Sequence, residues 1–262
     1  MGRVRIKGMA LPTEHGGWGF VLEPVLLSLL SAPSVGGASL SFAAVSFFLV
    51  RQPLRILLSR EEPVWSSSRR RWALFFASLY LGFAVAGIVT CVSLCGLAPV
   101  WALVLSSPLV LLFFFYDRRG RSRNLIAELA GPLGLAGSAP AVALAAGWDP
   151  VDAAVLWILA AARVVPSILY VRARLRLGRG ERVNRRNVVV WHCVFLGVAV
   201  ALALGGFAPL TAVAAIATLL ARAAWGLSGR PGVSPATRIG LVEILYGVFY
   251  VLLIAGGYRR GL

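Results

Sequence analysis

The chain has 262 residues, of which 59% are hydrophobic and only 14% are charged. Soluble domains are about 45–50% apolar and about 25% charged, so this composition excludes a soluble domain and indicates a multi-pass membrane protein. The 26 basic residues against 10 acidic ones give a net charge of +16. Because the basic residues lie in short loops between apolar stretches, this charge is typical of membrane orientation and excludes nucleic acid as the partner.

Charged residues and Gly/Pro punctuation divide the chain into nine apolar segments. The segments cover residues 16–32, 38–58, 72–92, 98–116, 125–146, 151–171, 188–206, 208–227 and 239–257. The sequence therefore predicts an all-α membrane protein of about nine transmembrane helices in a single domain over residues 1–262. Segments seven and eight are joined only by Gly205–Pro209, which predicts a tight antiparallel hairpin.

The basic residues alternate from loop to loop. Only Arg259 and Arg260 lie on one side, which leaves 24 of the 26 in the N-terminus and in every second loop with its flanking helix ends. The positive-inside rule predicts that these loops and the N-terminus are cytoplasmic, that the C-terminus is outside, and that the protein resides in the plasma membrane. The N-terminal stretch has no small-residue cleavage site after a short apolar core, which indicates an uncleaved start.

The first segment opens with the polar string LPTEHGGWGFVLEP. Glu14 and His15 could handle protons as a pair, or Glu14 could cap the helix N-terminus, and both interpretations stay open. The three glycines at positions 16, 17 and 19 loosen the helix start and allow another backbone to approach. Glu23 lies deeper and is hard to explain as a surface residue.

Two further groups of polar residues flank the second and fifth segments. Arg51 and Arg55 lie four apart at the end of the second segment, where snorkelling explains Arg55 and Arg51 follows FFLV closely enough to point inward. Asp117 precedes the fifth segment, and Asn124 and Glu128 lie four apart at its start. Gly131 and Pro132 can open the helix just after Glu128 and free backbone carbonyls.

The sixth segment carries Arg163, Ser167, Tyr170 and Arg174 at helical spacings of i, i+4, i+7 and i+11, which is one face. Arg163 lies about two turns inside the apolar stretch, where a charge must face a partner or a water-filled cavity. Glu128 is the candidate partner for Arg163. Structural pairing and catalysis are equally open explanations of that pair.

The ninth segment carries a second polar face. Glu243, Tyr246 and Tyr250 lie at i, i+3 and i+7, and a glutamate in a near-continuous apolar span indicates an inward face. No cluster of His, Cys or Asp has metal-ligand spacing, so the sequence predicts no metal site and no cofactor. Cys91, Cys95 and Cys193 lie in or beside apolar segments without a ligand set around them.

Four blocks of sequence resemble the YwiC-like family of bacterial membrane proteins. They are LPTEHGGWGFVLEPVLL, RQPLR, YDRRGRSR with the ELAGPL that follows, and RVVPSILYVRARLR. The resemblance covers nearly the whole chain, and EHGGW is its most specific part. It brings no defined activity with it.

A more distant resemblance is to the UbiA superfamily of intramembrane prenyltransferases, carried by the layout of the helices and by FYDRRGRSRNLIAELAGPL. It implies nine helices, an inside N-terminus and a cytoplasm-facing cavity. UbiA enzymes hold magnesium and a prenyl diphosphate on aspartate-rich motifs that end helices two and six. Here the second helix ends in Arg51, Gln52 and Arg55 and the sixth in Tyr170, Arg172 and Arg174, so no magnesium site carries over.

Guanidinium groups can neutralise a diphosphate directly and bidentately in place of magnesium. A cavity ringed by arginines would favour an anionic headgroup, with an isoprenoid or acyl tail between the helices. The ring would consist of Arg51, Arg55, Arg163, Arg172 and Arg174. Without a Lewis acid to help a diphosphate leave, binding is easier to explain than ionisation of an allylic diphosphate.

Three functions are therefore consistent with the sequence. The first is a UbiA-like protein that binds an anionic lipid or isoprenoid ligand, including as a metal-independent transferase. The second is a small-anion transporter in which Glu14, His15 and Glu128 handle protons. The third is a non-catalytic membrane assembly partner. The lipid bilayer is a partner in each case, and the oligomeric state does not follow from the sequence.

Overall fold

The computed structural model describes residues 7–11, 15–58, 67–229 and 235–261, and within these residues the only regular structure is helical. The helices in chain order are α1 (Lys7–Ala10), α2 (His15–Ser31), α3 (Val35–Leu58), α4 (Ser67–Cys95), α5 (Ala98–Arg118), α6 (Leu125–Leu135), α7 (Ser138–Ala145), α8 (Pro150–Gly178), α9 (Arg185–Leu204), α10 (Leu210–Leu227) and α11 (Ala236–Arg260).

All nine predicted apolar segments correspond to helices of the structure. In the described part of the chain, eight helical stretches are long and apolar enough to cross a membrane, with α6 and α7 counted as one stretch. The exception is α2, whose 17 residues rise only about 25 Å against a hydrocarbon core of about 30 Å. The all-α multi-pass fold predicted from the sequence is thus confirmed.

The fifth segment is broken into α6 and α7 by a turn at Ala136 and Gly137. The N–H of Ala136 donates to the carbonyl of Pro132 at 2.8 Å, and that of Gly137 donates to Gly134 at 3.1 Å. A Cβ on Gly137 would lie 2.2 Å from the Oγ of Ser106 on α5, so the turn packs where only glycine fits. The sequence predicted an opening at Gly131 and Pro132, and the break occurs a turn later.

The connection between α9 and α10 is the predicted hairpin. α9 ends at Leu204 and α10 begins at Leu210, and Gly206 between them has a φ of 77°. The carbonyl of Leu202 accepts hydrogen bonds from the N–H groups of Phe207 at 2.9 Å and Ala208 at 3.2 Å, which fold the chain back on itself.

Hydrogen bonds between loops define the two ends of the bundle. At one end the carbonyl of Ala145 accepts from Ser34 at 3.4 Å and from Cys95 at 3.2 Å. The other end, called the arginine-rich end below, is linked by the bonds Gln52 to Gly8, Arg172 to Arg123 and Arg185 to Leu227. The alternation of basic loops along the sequence therefore corresponds to the two ends of the bundle.

α8 lies at the centre of the molecule. Of its apolar span 67% is buried inside the protein, against 17% for α5 and for α9, which face outward. Leu156 and Leu159 of α8 pack with Ile216, Leu219 and Ile254 from α10 and α11. Because lipid tails are as apolar as leucine, close packing and polar contacts, not transfer from water, hold such helices together.

Candidate functional site

A cavity of about 530 Å³ lies between α2, α3, α5, α6, α8 and α11. Its apolar wall is rich in phenylalanine, from Phe20, Phe47, Phe48, Phe113 and Phe114. Its polar lining consists of Glu23, Arg51, Ser122, Arg123, Glu128, Arg163, Ser167, Arg172 and Glu243. Along α8 the lining runs from Arg163 to Leu175, which is about 18 Å of helix at about 1.5 Å per residue. The cavity thus reaches from the arginine-rich end deep into the spanning region.

Arg163 lies at the inner end of the cavity and is only 5% exposed. Its Nε lies 3.1 Å from Oε2 of Glu23 in an ion pair, and its Nη2 donates to Oε1 of the same carboxylate at 3.2 Å. Its Nη1 donates to Oε2 of Glu243 at 3.2 Å, and Nη2 also donates to the Glu243 carbonyl at 2.7 Å. Nη1 donates in addition to the hydroxyl of Ser167.

Arg222 completes this group, called the floor cluster below: Glu23, Arg163, Ser167, Arg222 and Glu243. Its Nη1 donates to both carboxylate oxygens of Glu243, at 2.5 and 2.6 Å. Its Nη2 donates to Ser167 at 3.4 Å. Two guanidinium groups face two carboxylates, so the cluster is neutral, and buried charges are tolerated when they are paired in this way.

The predicted pairing of Arg163 with Glu128 is wrong. Glu128 pairs instead with Arg172, through Nη1 and Oε2. The reason is depth: α6 begins at Leu125 at the arginine-rich end, so Glu128 in its first turn lies near that end. Arg172 lies nine residues beyond Arg163 on α8, which is about 13 Å closer to the same end.

The outer part of the cavity forms a second group, called the mouth cluster below: Arg51, Arg123, Glu128 and Arg172. The Nη1 of Arg172 also donates to the carbonyl of Arg123 at 3.0 Å. Arg51 has its Nη2 3.9 Å from Asp117 and its guanidinium carbon 4.8 Å from the ring centroid of Phe113. The side chains of Arg172 and Glu128 are 34% and 30% exposed, so their pair is accessible to water and to a ligand.

Three further predicted site residues, Tyr170, Arg174 and Tyr246, lie outside the cavity lining. Tyr170 and Tyr246 contact Arg222 on its other side, with ring centroids 4.4 and 5.1 Å from the guanidinium carbon. Arg174 donates to the carbonyl of Gly226 at 2.8 Å. These three residues support the floor cluster and the junction of α8 with α10, and they do not face the cavity.

The structure does not place four other predicted site residues, Asn124, Arg55, Glu14 and His15, in the cavity lining that it describes. Asn124 caps α6 by accepting a hydrogen bond from the N–H of Ile126 at 3.0 Å, which is a local structural role. Arg55 is exposed and does not line the cavity. Glu14 lies outside the described residues, and of His15 only the backbone is described, as the first residue of α2.

Two members of the floor cluster were not among the predicted site residues. Glu23 was recognised as unusually deep but was given no partner. Arg222 was assigned to a basic loop, whereas it lies inside α10, five residues before its end, and is 7% exposed. The signal was present in the string LLARAAW, where apolar residues flank the arginine on both sides as they flank Arg163.

In the loop after α8, an acidic residue is paired with two neighbouring arginines. The carboxylate of Glu181 accepts from the Nε of Arg176 and from the Nε of Arg179, both at 2.7 Å. These hydrogen bonds, with Arg176 first, lower the pKa of the Glu181 carboxyl group. The only acidic residue of this loop is therefore already engaged by two arginines.

Among the residues that the structure describes, no group of three or more His, Cys, Asp and Glu side chains is placed to hold a metal ion. The charged groups of the cavity are instead arranged as arginine–carboxylate pairs, and arginine can bind phosphate and carboxylate groups through two parallel hydrogen bonds.

Comparison with known proteins identifies the family. The model of a family described as "YwiC-like protein" matches residues 11–143, just over half of the chain. The chain belongs to the YwiC-like family. The match confirms the resemblance predicted from the sequence, and it spans the part of this YwiC-like protein that contributes Glu23, Arg51 and Glu128 to the cavity.

A relative covers the other half as well. The protein of Bacillus subtilis (strain 168) named "Uncharacterized protein YwiC" is 24% identical over 258 residues, which are 93% of this chain and 96% of that protein. No solved structure matches this YwiC-like chain. The resemblance to the UbiA layout therefore stays a prediction.

Proposed function

We propose that this YwiC-like protein binds an anionic amphiphile, a lipid or isoprenoid with a phosphate-type headgroup, in the cavity beside α8. The observation that carries the proposal is the division of one cavity into a basic mouth and a phenylalanine-rich wall. An amphiphile needs both environments at once, and ligand pockets generally combine an apolar lining with a few placed polar groups.

The headgroup belongs at the mouth, because the floor arginine that lines the cavity is already paired with carboxylates. Both Nη atoms of Arg163 donate hydrogen bonds to Glu23, Ser167 and Glu243, and its Nε lies 3.1 Å from Glu23 in an ion pair. A ligand that displaced one of these carboxylates would leave a buried charge uncompensated, which costs about 3–5 kcal/mol.

Arg172 and Arg123 are the best candidates to hold the headgroup. Within the described part of the chain, the hydrogen bonds of Arg172 all involve Nη1. Its Nε and Nη2 can therefore donate two parallel hydrogen bonds to a phosphate. Arg123 lines the cavity beside it. The mouth cluster contains three arginines and one glutamate, and with Asp117 beside Arg51 the group still carries a net positive charge, which attracts an anion.

The apolar tail would lie along the phenylalanine wall and stop at the floor. Below the floor, Tyr250 donates to the carbonyl of Leu159 at 2.7 Å, and the packed side chains of Leu27, Leu156 and Ile254 fill the bundle. A cavity that is closed beyond its inner end supports a ligand that enters and leaves on one side. This favours binding, which a metal-independent transfer would also require, over passage of an anion through the bundle.

We further propose that the protein resides in the plasma membrane with the arginine-rich end in the cytoplasm. The support is the distribution of basic residues, which follows the positive-inside rule, and the grouping of the basic loops at one end of the bundle. The headgroup of the ligand would then be approached from the cytoplasm.

The proposal is tested with the full chain in detergent and farnesyl diphosphate as the probe, with binding measured by calorimetry. Farnesol, which lacks the charge, and inorganic diphosphate, which lacks the tail, should bind at least about tenfold more weakly. Arg172→Gln or Arg123→Gln should also weaken binding by about tenfold or more, since each removes charged hydrogen bonds of about 1.5–3 kcal/mol.

Arg121→Gln is the matched control, since Arg121 is an exposed arginine of the same loop that does not line the cavity. Unchanged binding in both mouth variants would contradict the proposal. Binding of phosphatidic acid in place of farnesyl diphosphate, with the same dependence on Arg172, would identify the ligand as a phospholipid.

A further inference from the structure

A second depression lies on the outer surface between α9 and α10, at the arginine-rich end. Its volume is about 680 Å³, and it shares no lining residue with the cavity beside α8. Its lower walls are apolar, formed by Val189, Val190, Val194, Ala224 and Leu227. Because α9 and α10 both span the membrane, the depression, called the α9–α10 groove below, opens toward lipid.

The top of the α9–α10 groove is positively charged. Arg185 and Arg186 form the first turn of α9, which contains no acidic residue. Arg185 donates to the carbonyl of Leu227 across the groove at 2.8 Å, which fixes its position without neutralising its charge. Arg186 is exposed and has no ion-pair partner within the described ranges. Glu181, the nearest acid along the chain, is engaged by Arg176 and Arg179.

Two tryptophans indicate that this charged rim lies at the level of the lipid headgroups. Trp225, one turn from the rim residue Ser228, is 86% exposed, and Trp191, in the second turn of α9, is 41% exposed. Exposed tryptophans in a membrane protein concentrate at the interface between water and hydrocarbon. The apolar walls then extend from that interface toward the acyl chains.

We infer that the α9–α10 groove binds an anionic phospholipid from the bilayer. Its headgroup phosphate contacts Arg185 and Arg186, and one acyl chain lies between the valines of α9 and the α10 wall. The occupant is anionic because the rim offers two arginine charges and no carboxylate, and it is a bilayer lipid because the walls open to the hydrocarbon region. This site is separate from the cavity of the proposed function.

Lipid binding to the full chain in detergent is measured by native mass spectrometry, with phosphatidylglycerol and phosphatidylcholine of identical acyl chains. Phosphatidylglycerol should bind more tightly. Arg186→Gln should reduce that preference about fivefold, the contribution of one basic side chain near an anionic lipid. Arg186→Lys should keep it. Arg70→Gln removes one exposed charge at the start of α4, outside the groove, and should also keep it.

A second readout locates the lipid. Cys193 is exposed and lines the groove, whereas Cys91 is buried and Cys95 is half-buried. Phosphatidylglycerol should slow the alkylation of Cys193 by N-ethylmaleimide, and in Arg186→Gln about fivefold more of the lipid should be needed for the same protection. Equal binding of the two lipids, an unchanged preference in Arg186→Gln, or an unprotected Cys193 would each overturn the inference. Arg186→Gln should leave farnesyl diphosphate binding intact, so the two proposals fail independently.

Discussion

Arg163 joins two carboxylates that are far apart in the sequence, Glu23 140 residues before it and Glu243 80 residues after it. One side chain of the central helix α8 thereby ties the first apolar helix, α2, to the last, α11. In a bilayer, where apolar transfer does not drive helices together, such a polar link contributes to holding the bundle.

Replacing Arg163 should therefore destabilise the protein strongly. Removal of one member of a buried ion pair costs about 3–5 kcal/mol because the partner charge is left unpaired. Arg163→Ala should lower thermal stability in detergent by that amount, whereas Arg182→Ala, at an exposed position of the loop after α8, should change it little. Equal stability of the two variants would mean that the floor cluster does not stabilise the fold.

A double-mutant cycle should identify the partners of Arg163. Combining Arg163→Met with Glu23→Gln should restore part of the stability that each single change loses, because the two side chains are in contact. Combining Arg163→Met with Glu128→Gln should give additive losses, because Glu128 pairs with Arg172. The reverse pattern, coupling to Glu128 and additivity with Glu23, would contradict the floor cluster.

Gly247 should be intolerant of any side chain. A Cβ at this position of α11 would lie 2.0 Å from Oε1 of Glu23 and 3.1 Å from Nη2 of Arg163. Gly247→Ala should push the Glu23 carboxylate off Arg163 and reduce thermal stability. Gly256→Ala on the same helix meets no atom within 4 Å and should instead stabilise by up to about 1 kcal/mol, from helix propensity. Two variants that shift stability in the same direction would argue against this role of Gly247.

Binding of farnesyl diphosphate should not depend on magnesium, because the arginines of the mouth cluster supply the positive charge that magnesium would otherwise provide. Calorimetric titrations with a chelator and with added magnesium should give the same affinity. A large loss of affinity with the chelator that magnesium restores would show that a carboxylate site takes part in binding.

The orientation of the bundle should follow its basic loops. In a variant without native cysteines, Arg182→Cys at the arginine-rich end should resist a membrane-impermeant thiol reagent added outside the cell, and Val151→Cys at the opposite end should react. Both positions are exposed. The neighbouring Gly180 and Gly147 are less suitable for substitution, because their φ angles of 77° and 83° disfavour a side chain. Labelling of Arg182→Cys from outside would reverse the assignment.

The sequence shows how far each charged residue lies inside its apolar segment, but it does not show which residues of other helices surround it. Apolar runs and loop charges were enough to locate the nine segments. Helical spacing predicted a cavity-lining face of four residues, of which Arg163 and Ser167 line the cavity and Tyr170 and Arg174 do not. The predicted partner of Arg163 was wrong because Glu23, Glu128 and Glu243 all occur in apolar stretches of sequence, so each of them is an equally plausible partner. Which of them meets Arg163 depends on the packing order of α2, α6 and α11 around α8, and a single helix does not encode that order.

Arg222 shows a second kind of failure. Arg222 was counted with the basic residues of the loop between segments eight and nine, where an arginine near a helix end can extend along the helix to reach the headgroups. In the structure its guanidinium turns inward, held by Glu243 and by the faces of Tyr170 and Tyr246. Spacing on α10 alone does not distinguish the two directions, because the deciding residues belong to α8 and α11.

The short α2 makes the protein sensitive to membrane thickness. Its helix rises about 25 Å, and Glu23 lies eight residues, about 12 Å, from its first residue. Where the bilayer becomes thinner beside α2, headgroups and water lie closer to the floor cluster. In a thicker bilayer, α2 is shorter than the hydrocarbon core, so its polar ends are drawn toward the hydrocarbon. In nanodiscs of increasing acyl-chain length, melting should therefore shift to lower temperature, and the shift should be smaller once Glu23 and Arg163 are both replaced by neutral residues.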